Sequence, residues 1–128
     1  MKIAEVSERY DISSDTLRYY ERIGLIPPVN RNGSGIRDYN DLDIRRVEFI
    51  KCMRSAGLPL EVLIEYMDLV QQGDKTIEAR KEILIEQRGL LAERIREMQA
   101  TLDLLNHKIQ VYEKAILTKE KEIVQSEE

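Results

Sequence analysis

From Met1 to Gly24 the apolar positions Ile3, Val6, Tyr10, Ile12, Leu17, Tyr20 and Ile23 recur at helical spacings, interrupted by Asp11-Ile12-Ser13-Ser14. The polar residues of that break are turn formers and N-caps, so the pattern predicts two short helices joined by a tight turn. The next stretch, Pro27 to Tyr39, has no helical period. Its prolines exclude a helix, and Asn32-Gly33 with Gly35 permits the positive backbone angles of a hairpin, which predicts a small two-stranded wing. A third helix is expected from the N-cap Asn40, with Asp43 near its positive dipole end, and it stops at Gly57. Its apolar face is Leu42, Ile44, Val47, Phe49, Ile50 and Met53. A fourth starts around Pro59, carries Leu60, Leu63, Ile64, Met67 and Leu69, and ends at Gly73.

Beyond Thr76 there is no proline and Gly89 is the only glycine, so one helix is expected almost to the end, with fraying from Gln125 onward. Within it Leu91, Ile95, Met98, Leu102, Leu105, Ile109, Tyr112 and Ile116 alternate four and three residues apart. This is a heptad seam, with Ile95, Leu102, Ile109 and Ile116 at a and Leu91, Met98, Leu105 and Tyr112 at d. A seam this narrow is not buried by its own helix, so it is expected to pair with a second copy as a homodimer. Parallel and antiparallel pairing both satisfy it. The fold class that results is mainly α: a winged helix-turn-helix head of four helices and a two-stranded wing, followed by a long coiled-coil dimerisation helix. The expected boundaries are 1–72 for the head, 76–120 for the coiled coil and 121–128 for a frayed tail.

With 128 residues and 42% hydrophobic composition, the chain supports one compact domain plus an extension. No stretch reaches the roughly 18 to 20 apolar residues of a membrane span, and Met1-Lys2-Ile3-Ala4-Glu5 has no signal-peptide core, so a soluble, cytoplasmic protein is expected. One cysteine and one histidine exclude an internal disulfide and give no metal cage. No nucleophile is accompanied by a base, so we expect no enzyme and no cofactor. The net charge of -4 argues against nucleic acid until its distribution is considered. Residues 1–57 hold ten Lys/Arg against nine Asp/Glu, whereas residues 58–128 hold ten against fifteen.

The relatively basic head carries its candidates in three places. In the second helix Arg18, Tyr19, Tyr20 and Arg22 follow the small polar start Ser13-Ser14-Asp15-Thr16, a mixture suited to phosphate and base-edge contact, although Leu17 and Tyr20 are also spaced for the core. The wing adds Arg31, Arg37 and Tyr39. On the third helix Arg45, Arg46 and Lys51 read as a solvated face, next to Arg54.

These residues, in order, resemble a known family. Ile3-Ala4-Glu5-Val6, then Thr16-Leu17-Arg18-Tyr19-Tyr20-Glu21-Arg22-Ile23-Gly24-Leu25-Ile26, Arg37-Asp38-Tyr39 and Asp43-Ile44 are similar to the MerR family of bacterial transcription regulators. The resemblance covers residues 1 to about 72, and the helix after Thr76 matches the family's dimerisation helix. It implies a dimer through an antiparallel coiled coil on double-stranded promoter DNA, bending and untwisting the promoter so that RNA polymerase engages it. Carried over by position, it implies DNA contacts from Ser14, Arg18 and Tyr19, from Arg31, Arg37 and Tyr39 in the wing, and from Arg54. Asp15 departs from the small or basic residue usual there, which argues against a phosphate contact at that position.

The paired cysteines of the family's metal sensors are missing. Cys52 instead resembles the sensor of a single-cysteine subgroup that responds to reactive aldehydes. Lys51 and Arg54 supply positive charge beside it, the setting that promotes thiol reactivity, although a helix interior is not the favoured location. The other reading of Cys52 is a small core residue. His107 reads as a polar surface residue. Two further readings stay open: a regulator with a non-covalent effector, and a coiled-coil interaction protein that does not bind DNA.

Overall fold

The computed structural model describes residues 1–127, with side chains through Gln125. Five α-helices follow in order: α1 (Ile3–Tyr10), α2 (Ser14–Arg22), α3 (Asp41–Ser55), α4 (Leu60–Gln71) and α5 (Ile77–Glu127), with a short 3-10 turn at Asp74–Thr76 before α5. Packing divides the chain into two compact units, Met1–Arg88 and Gly89 onward.

Local chemistry sets the helix ends. Asp11 closes α1 in the left-handed conformation with φ 52°, which aspartate tolerates better than most residues. Ser13 Oγ accepts the Thr16 amide at 3.0 Å and so satisfies one of the free donors at the start of α2. At α3 the capping is reciprocal: the Asp43 amide donates to Asn40 Oδ1 at 2.8 Å and the Asn40 amide to Asp43 Oδ2 at 3.0 Å. Thr76 and Arg80 satisfy the end of α4, the Thr76 hydroxyl donating to Leu69 O (2.7 Å) and Arg80 Nη2 to Gly73 O (3.2 Å).

One core holds the first unit together. Val6, Leu17, Val47, Ile50 and Leu63 are buried from the four head helices, joined by Leu25, Ile26, Val29 and Leu58 from the connections. Each fully buried aliphatic side chain contributes roughly 1.5–3 kcal/mol. Gly24 turns the chain after α2 with φ 80°, so that the Leu25 and Ile26 amides both reach Tyr20 O and their side chains enter the core. Leu42, expected on the apolar face of α3, is instead 51% exposed.

The expected wing is a hairpin-like loop with no strand assigned among the described residues. Among the described residues it has a single isolated antiparallel bridge, Arg31 to Arg37. The Asn32 side chain accepts the amides of both Ser34 (2.9 Å) and Ile36 (3.1 Å), so the Ile36 donor is spent locally rather than in a ladder. Pro27 and Pro28, just upstream, have no amide to offer. At its base the Tyr39 amide donates to Met1 O (2.7 Å), and the Met1 amine bonds Asp38 Oδ1 and Tyr39 O, each at 2.9 Å.

In the second unit the helix continues through Glu127, so the tail expected to fray is helical as far as it is described, and Glu128 lies outside the described residues. Leu91 is half-buried, and from Ile95 onward the seam side chains are open, from 49% exposed at Leu102 to 70% at Met98 and Tyr112. Leu104, Val111, Leu117 and Val124, which lie off the seam, are exposed as well.

Candidate nucleic-acid interface

The start of α2 combines free amides, small side chains and a favourable dipole. Ser13 and Thr16 are tied to each other (Ser13 Oγ to Thr16 Oγ1, 2.8 Å), and Ser14 is partly exposed beside them. One turn on, Arg18 Nη1 pairs with Asp15 Oδ1 at 2.9 Å. Both side chains are open, 48% and 95% exposed, and such a surface pair is worth only about 0–1 kcal/mol, so a phosphate can displace Asp15. Tyr19 is 39% exposed, and the Arg22 guanidinium lies 5.3 Å from its ring centroid. Tyr20 packs against the core instead.

Beside that helix start lies a cleft of about 340 Å³ bounded by Ser13, Thr16 and Tyr20 on one side and by Lys51, Arg54 and Ser55 of α3 on the other. Arg54 Nη1 donates to Leu58 O at 2.9 Å, which closes the turn into α4. Lys51 Nζ donates to Asp11 O at 3.3 Å. The structure therefore brings Lys51, read from the sequence as part of a solvated face, to the same cleft as Arg54 and the α2 start. Its spacing of three residues from Arg54 was the available signal, because i and i+3 share a helix face.

In the wing, Arg31 Nη1 reaches back to Gly35 O at 2.9 Å and remains exposed. Arg37 is engaged with α2: its Nε donates to Glu21 Oε1 at 3.0 Å, with the two side chains only 20% and 16% exposed. Tyr39 departs most from expectation. It is 1% exposed within the core, and its hydroxyl has no protein hydrogen-bond partner among the described residues. A buried hydroxyl cannot donate to a phosphate outside, so the contact expected from Tyr39 is corrected to a core role. Burial, followed by the Glu21 carboxylate, raises its pKa above the ordinary 10.0.

Cys52 is exposed on α3 and is not a core residue. The cations expected to act on it, Lys51 and Arg54, are both committed to backbone carbonyls. Among the described residues no group of three or more His, Cys, Asp or Glu side chains is placed to hold a metal. No described helix is long and apolar enough to cross a membrane.

With this geometry in view, comparison with known proteins gives a consistent result. Residues 1–70 match the model of the MerR HTH family regulatory proteins, and residues 44–108 match that of the MerR DNA-binding region. The chain is 58% identical over 93 residues to the HTH-type transcriptional regulator AdhR of Bacillus subtilis (strain 168), a match spanning 73% of this chain and 66% of that protein. A MerR family transcriptional regulator from Listeria monocytogenes superposes with a TM-score of 0.89 at 46% identity, over 96% of this chain and 93% of its own. HiNmlR, a MerR family regulator lacking the sensor domain and solved bound to promoter DNA, superposes with a TM-score of 0.80 at 32% identity, over 89% of this chain and 90% of its own.

Proposed function

The chain belongs to the MerR HTH family of DNA-binding transcriptional regulators, and from that membership we propose that it works as a homodimer which distorts promoter DNA in response to a chemical stress. The observation that carries the DNA reading is the joint placement of an exposed Arg18 and Tyr19 on α2, Arg31 in the wing loop, and Lys51 with Arg54 at the cleft beside the α2 start. Ser14, Arg18 and Tyr19 enter the groove in this proposal, while Arg31, Lys51 and Arg54 take phosphates on either side. The similarity to HiNmlR, solved on promoter DNA, supports it.

The exposed seam from Ile95 to Ile116, continued by the half-buried Leu91, supports the dimer, since a second copy covers these side chains. Two heads joined in this way act on promoter shape, and RNA polymerase is affected through the promoter they share. The signal we propose is a reactive aldehyde. The exposed Cys52 sulfur adds to the carbonyl carbon, the thiol proton passes to the carbonyl oxygen, and a hemithioacetal results, enlarging the α3 surface beside the DNA-contacting cations. The similarity to the transcriptional regulator AdhR supports the regulator role and does not bear on the inducer.

The deciding experiment is a fluorescence-anisotropy titration against a duplex from upstream of the protein's own coding sequence, with a scrambled duplex as control and salt varied. Preferential binding that weakens steeply with salt is expected, and equal weak binding to both duplexes refutes this target. For the signal, Cys52→Ser is expected to abolish aldehyde-induced transcription while keeping the uninduced DNA affinity. Full induction in that variant rejects the thiol.

A further inference from the structure

We propose that Glu21 is a positioning residue of the DNA-binding head: through Arg37 it locks the wing loop beside the recognition helix, so that helix and loop meet DNA as one rigid unit. The inference rests on the DNA-binding reading above and concerns how that surface is assembled. Glu21 sits in the last turn of α2, and Arg37 stands opposite Arg31 in the wing's only bridge among the described residues. Their contact spans sixteen residues at 3.0 Å, from Arg37 Nε to Glu21 Oε1. Among the described residues no other hydrogen bond or ion pair joins α2 to residues 30–37.

Among the described residues the other polar contacts of residues 30–37 lie within the wing, whose base is tied to Met1 through Asp38 and Tyr39. The Asn32 side chain serves Ser34 and Ile36, Arg31 serves Gly35, and across the loop the Asn32 amide donates to Ile36 O (2.8 Å) and the Asp38 amide to Asn30 O (2.7 Å). These bonds fix the loop's own shape but not its angle to α2, and a phosphate contact from Arg31 would have to immobilise that angle at the moment of binding. The Glu21–Arg37 pair removes that cost beforehand. Both side chains are mostly shielded from water, so the pair is less screened by salt than the open Arg18–Asp15 pair on the same helix. The pair uses Arg37 Nε, so the guanidinium approaches Glu21 by its edge and holds the loop backbone close to α2.

The proposal predicts a sign opposite to that of simple electrostatics. A carboxylate on a DNA-facing helix repels phosphates, and its removal by Glu21→Gln would tighten binding if charge alone mattered. If Glu21 positions the wing, the same substitution loosens binding because the loop's phosphate contact is lost with it. We would titrate wild type, Glu21→Gln, Arg37→Gln, Arg31→Gln and the Glu21→Gln/Arg31→Gln double variant against the own-upstream duplex between 50 and 200 mM salt, checking each for cooperative thermal unfolding. Glu21→Gln is expected to weaken binding about tenfold and to reduce the salt slope by about one, as Arg31→Gln does, with the double variant no weaker than either single one. Arg37→Gln cuts the same link from the loop side and keeps the test open if Glu21→Gln does not fold. Unchanged or tighter binding by a folded Glu21→Gln, or additive losses in the double variant, overturns the proposal while leaving the regulator reading intact. Loss of duplex preference in the wild type itself overturns both.

Discussion

The Tyr39 ring fills the centre of the head while its hydroxyl goes without a protein partner among the described residues, so removing that oxygen costs no hydrogen bond and relieves an unsatisfied polar group. Tyr39→Phe is expected to raise unfolding stability by about 1 kcal/mol, read by denaturant titration, and to leave duplex affinity unchanged. Weakened DNA binding in that variant would restore Tyr39 as a contact. The same burial gives a pH signature. The folded-state pKa lies above the ordinary 10.0, so the unfolded chain loses this proton first as pH rises. The stability it contributes is complete below pH 10 and falls as pH climbs past it toward the raised value. Tyr10, raised mainly by its 2.6 Å hydrogen bond to Glu48, adds a contribution of the same sign. Tyr39→Phe should therefore show a shallower alkaline decline that does not vanish. At the surface, Arg18→Ala is expected to weaken specific duplex binding by about 1–3 kcal/mol if Arg18 reads a base, and to lower the salt slope as well if it holds a phosphate. Side chains of this sort were legible as candidates by type and spacing. Which of them point outward was not, because Arg37 and Tyr39 lie two residues apart in a stretch with no period to separate buried from exposed.

Among the elements, helices were readable because their signals are local: a capping residue, a run at helical spacing and a glycine or proline stop lie within a few positions of each other. Asn40 with Asp43 at α3 and Pro59 before α4 are where the pattern places them. Because α3 carries Lys51, Cys52 and Arg54, its start bears on the interface. Asn40→Ala is expected to cost about 1 kcal/mol of stability, checked by thermal or denaturant unfolding. No change there would mean that the Asp43 carboxylate and the dipole suffice. In the wing the two segments meet in the expected antiparallel sense at Arg31 and Arg37, but the pairing does not lengthen into strands among the described residues, because Asn32 takes for its own side chain an amide that a longer ladder needs. The buried Leu25, Ile26, Val29 and Leu58 lie in connections, where burial follows from tertiary packing rather than from a local period.

For the whole molecule the seam matters most. Its side chains are exposed on the single chain, and each aliphatic one that a partner covers contributes roughly 1.5–3 kcal/mol. If the proposed dimer forms through the seam, Leu102→Lys, which places a charge at an a position, is expected to give a monomer in sedimentation velocity where the unaltered chain gives a dimer, with duplex affinity falling because one head then holds one half-site. Unchanged sedimentation would show that the seam is not the contact. The arginine pairing on the head has a further consequence for a regulator on a chromosome. Of the paired arginines, Arg18 is the one the proposed interface sends to DNA, and Asp15 beside it is a counter-charge that any phosphate must displace. On the DNA-binding reading that small penalty falls on every sequence alike and is offset only where Arg18 meets a base edge, so complexes held by backbone charge alone are expected to be shorter-lived.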